Sequence, residues 1–406
     1  MTSRLTANTP AGARLVALAG ALAGDLGSRA GAHDREGTFP FESIDSLRRA
    51  GYFAAPIPEL HGGIGADSVH DVVVASSVLA QGDPSVAIGV NMHLVALLNM
   101  VRRWRVAVAT GANRRVAAYG RSMQEIADGG TVMAAAISEP AQDLTRPATR
   151  AVHTGAGWRI DGRKIFCTMS PAATVLYTAV GFTGPHGEER YSYAMVPAAA
   201  KGVTIHDDWD ALGMRASGSH SVSFDGVELP DNAVRGGFLA GDLVPYLERN
   251  LTAGLFHASA SLGIAEGAWE HARSSAARRG GAEDGRSRSI AAEAAIDLAA
   301  SRAVLSRAAA DIDDHHADQP HGEATDDEVV ALFTGAQTAK AFVTEAAARV
   351  VDRALALAGG GGYRNGSPLA RAYRDVRAAA FMNPLGSNRA YDFVGAAALG
   401  GVPSIA

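Results

Sequence analysis

The chain has 406 residues, 47% apolar and 19% charged, with 37 Lys+Arg against 42 Asp+Glu and a formal charge of -5. That length exceeds the roughly 250–300 residues one hydrophobic core serves, so two or three domains are expected, and a mildly acidic balance is the wrong sign for nucleic acid or an anionic membrane as main partner. A single cysteine, Cys167, excludes a disulfide framework and a thiolate cluster, and histidines scattered away from clustered carboxylates predict no metal site.

From residue 10 to about 128 the pattern is helical, punctuated by turn signals at 37–40, 56–65 and 82–84. Arg14 and the apolar run 15–23 have the shape of a short secretory signal. Asp25 and Arg29 continue the pattern past the run, which favours an amphipathic first helix. Residues 68–79 and 85–101 read as mostly buried helices. No stretch reaches the ~20 apolar residues that span a bilayer, and a cytoplasmic protein is expected.

From about 132 to 234 the period moves towards two. Strands are expected at 131–137, 164–168, 175–180, 191–196 and 220–224, with 158–162 a turn; short strands between Gly and Asp turns indicate a small barrel or sandwich. Beyond Pro230, the segments 246–279, 287–314, 325–358 and 384–400 are alanine-rich and amphipathic and suit a four-helix bundle, with polar loops at 280–286 and 315–323. The fold class is α+β in an α–β–α order: an N-terminal helical domain at 1–129, a central β-barrel domain at 130–235 and a C-terminal four-helix bundle at 236–406.

Several motifs in that order resemble the acyl-CoA dehydrogenase superfamily. They are Asp34 with Phe39-Pro40, Pro56 and Gly62-Gly63; Ile137-Ser138-Glu139-Pro140; Trp158 with Asp161-Gly162 and Phe166-Cys167-Thr168; Trp209 with Leu212 to Ser217; and Gly359 to Tyr363 with Arg374-Asp375. They run through nearly the whole chain. The resemblance implies a bound flavin, FAD or FMN. Thr168 would place its hydroxyl or main-chain N–H at the flavin N5, Phe166 would pack beside the ring, and Ser138 would serve the pyrimidine edge. Gly359, Gly360 and Gly361 would approach the cofactor's phosphates, often from a neighbouring subunit of a homotetramer; by themselves they equally read as a helix stop and turn.

A dehydrogenase of this family needs a carboxylate to take the α-proton of an acyl thioester. Counting from Arg374 places Asn383 where that Glu commonly stands, and an amide cannot be a general base at neutral pH. The alternative position, aligned on Gly263, holds Ala253-Gly254, with Glu248 a helical turn earlier. The flavin-phosphate contacts are also altered, at 141–145, at Ala356 and at 278–281.

These departures resemble the flavin-dependent monooxygenase branch, which uses reduced flavin from a separate reductase, forms a C4a-hydroperoxyflavin and hydroxylates a small organic substrate. The expected function is such a monooxygenase. The alternatives are an acyl-CoA or acyl-carrier-protein dehydrogenase with a relocated base such as Glu248, and a non-catalytic flavin-binding protein. His93, His257 and Asn383 are the catalytic candidates by position in that branch, although a single histidine in an apolar helix is also an ordinary hydrogen-bonded core residue.

Overall fold

A computed structural model of the protein describes residues 4–140, 143–234 and 236–405. Of the segment 141–145, Ala141 and Gln142 therefore lie outside the described residues.

Helix α1 (Pro10–Glu36) starts at Thr9, whose hydroxyl accepts the Gly12 N–H at 2.9 Å, and stops at Gly37 in the left-handed region, φ 66°. Leu15, Ala19, Leu26 and Ala30 fall on one stripe and are buried. The apolar run at 15–23 is thus part of a helix packed in the core, against α3 (Val69–Ala80). Asp71 of α3 accepts from the Asn8 N–H, the Thr9 N–H and the Thr9 hydroxyl at 2.6–3.0 Å. Gly12 permits this approach, because a Cβ there would stand 1.9 Å from the Asp71 carboxylate. α2 (Phe41–Arg49) and α5 (Asn113–Ala127) flank the domain. α4 (Pro84–Ala109) is capped by Asp83 and extends past the predicted 101. With mean hydropathy 1.5 it has the length and composition of a membrane span, contrary to the sequence expectation, yet most of it is buried inside the protein as a core helix.

The central domain holds β1 (Met133–Ala136), β2 (Arg150–His153), β3 (Trp158–Cys167), β4 (Val175–Thr183), β5 (Glu189–Pro197), β6 (Val203–Ile205), β7 (His220–Leu229) and β8 (Phe238–Leu239). Its hydrogen-bonded order is β6-β7-β3-β2-β4-β5-β8, with β1 parallel to β4. Side chains such as Ile160, Leu176, Val196 and Val222 fill its interior. Residues 158–162, expected as a turn, begin β3. Trp158 and Ile160 pair with Leu229 and Val227, and the chain passes Gly162 through a bulge rather than reversing. The short strands β2, β6 and β8 carry too little alternation to announce themselves, and β8 lies past residue 235.

The C-terminal domain is built on α7 (Ala253–Ala277), α8 (Gly285–Asp318) and α9 (Asp326–Ala358), with α11 (Ser387–Ala398) packed on α9. Two short helices accompany them, α6 (Val244–Arg249) and α10 (Pro368–Asp375). The predicted helix 246–279 is interrupted between α6 and α7, where Asn250 turns its amide back to the Tyr246 carbonyl at 2.8 Å. α9 opens with a capping box of Thr325 and Glu328. α8 runs through residues 315–318, expected as loop. His316 is half-buried there, and burial lowers its pKa to about 3.

Three contacts between motif residues lock the domains together. Arg374 pairs with Asp34 at 2.5 Å, Arg215 donates to the Asp34 carbonyl at 2.9 Å, and buried Asp375 accepts the Met214 N–H at 2.6 Å.

Candidate active site

β3 carries the first part of the site. After Lys164 its ladder is interrupted by a bulge, and Phe166 takes φ 56°, a conformation strained for a bulky residue. Three main-chain hydrogen bonds hold the segment: Ile165 N–H to Ser138, Thr168 N–H to Phe166, and Met169 N–H to Ser217, each 2.9 Å. The result turns the Phe166 ring outward, where it is 60% exposed and meets Trp209 edge to face.

The Ser138-Glu139-Pro140 segment is anchored from below. Glu139 accepts Lys164 Nζ at 2.6 Å and the N–H groups of Ala148 and Thr149 at 2.6 and 2.8 Å. Burial alone would raise the Glu139 pKa, but the Lys164 ammonium and these donors outweigh it and the carboxyl lies below its usual range. Every oxygen of this carboxylate is occupied, and the pair is structural.

Opposite stands the segment after α10. Lys340 of α9, buried and without a carboxylate, donates to the carbonyls of Met382 and Leu385, the latter at 2.6 Å. This clasp brackets Asn383, whose Nδ2 donates to the Ser138 hydroxyl at 2.9 Å. Ser138, Phe166 and Asn383 thereby line one cavity of about 460 Å³. Tyr246, Phe381, Pro384 and Leu144 add apolar wall, and Ser387, Asn388 and Arg389 of the first turn of α11 close one end. Aromatic side chains, polar groups at one edge and the start of a helix fit an isoalloxazine with its phosphate.

The other candidates are placed differently. His93 is fully buried between two main-chain groups: its Nε2 donates to the Phe53 carbonyl and its Nδ1 accepts the Met133 N–H, both at 3.1 Å. Burial lowers its pKa to about 4. Both nitrogens are committed to main-chain groups that tie α4 to β1, and the structure does not bring His93 to the cavity with Ser138 and Asn383. His257 is buried behind the Asn383 main chain, with its pKa lowered to about 3 by burial first and by Lys340 second, and its Nδ1 has no partner. It does not line the cavity either, and stands behind Asn383.

Thr168 is buried and its hydroxyl accepts from Ser219 at 3.0 Å. Its main-chain N–H is taken by the Phe166 carbonyl, so of the two groups expected at N5 only the hydroxyl proton is free. Gly359, Gly360 and Gly361 form an exposed single turn with open space around them, and they do not line this cavity. Glu248 is exposed on α6 and does not line it. Cys167 is fully buried with its thiol pushed up to about 12 by burial, a core residue. Sequence reasoning missed Tyr246 and the start of α11. The start of α11 had only its proximity to the Phe381–Asn383 segment as a signal, which the expected long helix at 384–400 absorbed, and Tyr246 had no local signal.

The chain matches the acyl-CoA dehydrogenase N-terminal domain over residues 19–104, the middle domain over 134–227 and the C-terminal domain over 255–383. It belongs to the acyl-CoA dehydrogenase superfamily, and it is a flavin-dependent oxidoreductase of that superfamily. Within it, the amino sugar nitrososynthase DnmZ of Streptomyces peucetius is 33% identical over 401 residues, covering 97% of this chain and 94% of that enzyme. The nitrososynthase structure from Micromonospora carbonacea var. africana aligns with TM-score 0.87 at 30% identity, covering 97% of this chain and 98% of that one. The structure of KijD3 in complex with FMN and dTDP-3-amino-2,3,6-trideoxy-4-keto-3-methyl-D-glucose aligns with TM-score 0.89 at 30% identity, covering 97% and 95%.

Proposed function

We propose that the protein is a reduced-flavin-dependent monooxygenase that oxidises the amino group of a nucleotide-linked amino sugar, with reduced flavin delivered by a separate reductase. One observation carries the choice of oxygenase over dehydrogenase. The cavity presents Asn383 at the family's base position, and among its described lining residues the one carboxylate, Glu139, is fully engaged by Lys164 and two N–H groups. No described lining side chain is free to take an α-proton. The substrate class is supported by the full-length similarity to nitrososynthases.

Reduced flavin, when bound, supplies the two electrons that let one atom of O2 reach the substrate while the other leaves as water. The amine plus O2 and reduced flavin gives hydroxylamine, water and oxidised flavin; a second round on the hydroxylamine gives the nitroso compound and two waters. The chain's part is to bind and orient. Phe166 and Phe381 would flank the ring, Ser138 would serve its polar edge, and the Thr168 hydroxyl would be the donor towards N5. Asn383, with Nδ2 committed to Ser138, offers Oδ1 to a substrate N–H and holds the neutral amine nitrogen towards the oxygen. The exposed turn of Gly359, Gly360 and Gly361 serves a neighbouring subunit's cofactor in a homotetramer.

The test supplies FMN, a flavin reductase, NADH and a thymidine-diphosphate amino sugar. Hydroxylamine or nitroso product should form, and none without the reductase. Oxidation of an acyl thioester under the same protein preparation, with no amine product, would sink the proposal.

A further inference from the structure

Near the Ser138–Asn383 cavity stands a half-buried cation, Arg249, with no carboxylate partner among the described residues. Arg249 ends α6 three residues after Tyr246, which lines that cavity, so it stands one helical turn from the cavity wall. Its guanidinium lies 4.1 Å over the Tyr193 ring, and its Nη1 donates to the Tyr177 hydroxyl at 2.5 Å. The two tyrosines are stacked across β4 and β5, centroids 5.2 Å apart and planes within 8°. The Nε–H is buried with no acceptor, and the groups acting most strongly on Arg249 are tyrosines rather than carboxylates.

On the other side, Asn99 of α4 donates to the Arg249 carbonyl at 3.0 Å. Asn99, Arg102 and Thr252 line a second cavity of about 590 Å³, so the Arg249 main chain stands beside it. Exposed Arg103 lies within electrostatic reach of the same Tyr193 ring.

A guanidinium withdrawn from water without an anion is costly, and one stacked on Tyr193 and hydrogen-bonded to Tyr177 is preorganised to offer its remaining N–H groups to phosphate oxygens. We propose that Arg249, assisted by Arg103, is the phosphate-binding end of the substrate site and takes the diphosphate of a nucleotide whose sugar enters the Ser138–Asn383 cavity. This rests on the nucleotide-linked reading above. A flavin phosphate shares the same chemistry, and the experiment separates the two sources.

Thymidine diphosphate, thymidine and FMN are titrated calorimetrically into the full chain and into Arg249→Lys and Arg103→Ala. The lysine keeps the charge and loses the fork; Arg103 is exposed, so its removal leaves folding intact. Thymidine diphosphate should bind wild type, weaken by about 10- to 100-fold in Arg249→Lys and several-fold in Arg103→Ala, and weaken with added salt. Thymidine and FMN should bind all three proteins alike. Equal thymidine diphosphate affinity in wild type and both variants overturns the phosphate assignment and leaves the nucleotide reading standing. Loss of FMN rather than thymidine diphosphate affinity overturns it in favour of the flavin. No thymidine diphosphate binding by wild type overturns both.

Discussion

Phe166 combines a strained backbone with an outward ring, and two substitutions separate these properties. In the left-handed region a residue with a Cβ costs about 1–2 kcal/mol that glycine does not. The Phe166 ring is 60% exposed, so about two-fifths of a roughly 200 Å² side chain is buried, a contribution of about 2 kcal/mol at 25 cal/mol/Å². Phe166→Ala loses the ring and keeps the strain, so it should be about 2 kcal/mol less stable than wild type. Phe166→Gly loses the ring and relieves the strain, so it should be the more stable variant by about 1 kcal/mol. That order reverses the usual preference for Ala over Gly in a strand, which runs to roughly 0.5–1 kcal/mol. Thermal melts of the apoproteins read the order, and FMN titration reads the ring, with both variants binding FMN more weakly. An alanine variant as stable as the glycine variant would refute the backbone account. Undiminished FMN affinity in both would remove the ring from the cofactor site.

Three further outcomes follow from the same geometry. Asn383→Ala breaks the bond to Ser138 and removes the Oδ1 acceptor; amine oxidation should fall by about 10- to 100-fold, with O2 consumption increasingly uncoupled from product. His93→Asn should lower stability by about 1–3 kcal/mol with turnover per folded molecule little changed. Because the folded pKa of His93 is about 4 against an ordinary 6.5, the wild-type fold loses stability as pH falls through that window, and the variant should lose less, as read by melts from pH 7 to 4. Lys340 is held by burial at about 7 against an ordinary 10.5, so between those values the unfolded chain binds a proton the fold does not. Stability should therefore rise with pH across that window, and Lys340→Met should flatten the rise in pH-dependent denaturation curves.

The α–β–α order and most long helices were legible because their signals are local: turn residues at 37–40, 56–65 and 82–84, and apolar stripes at helical spacing. The motif residues Asp34, Arg215, Arg374 and Asp375 proved to be ties between domains, which spacing along the chain cannot show. Ser138, Phe166 and Asn383 were legible only through resemblance, and the structure brings them to one cavity. The partners of His93 were not legible because a histidine in an apolar helix looks the same whether it faces substrate or the carbonyl and N–H of distant segments. The Arg249–Tyr177–Tyr193 stack depends on β4, β5 and α6 meeting, and no local pattern encodes that meeting.

The central claim is that an oxygen atom from O2 is placed on a substrate nitrogen without an active-site carboxylate. It is tested most directly by running the reductase-coupled reaction under 18O2 with a thymidine-diphosphate amino sugar and weighing the product. One 18O atom on the oxidised nitrogen is the predicted result. Unlabelled amine recovered intact, together with anaerobic bleaching of a tightly bound FAD by an acyl thioester, would contradict it.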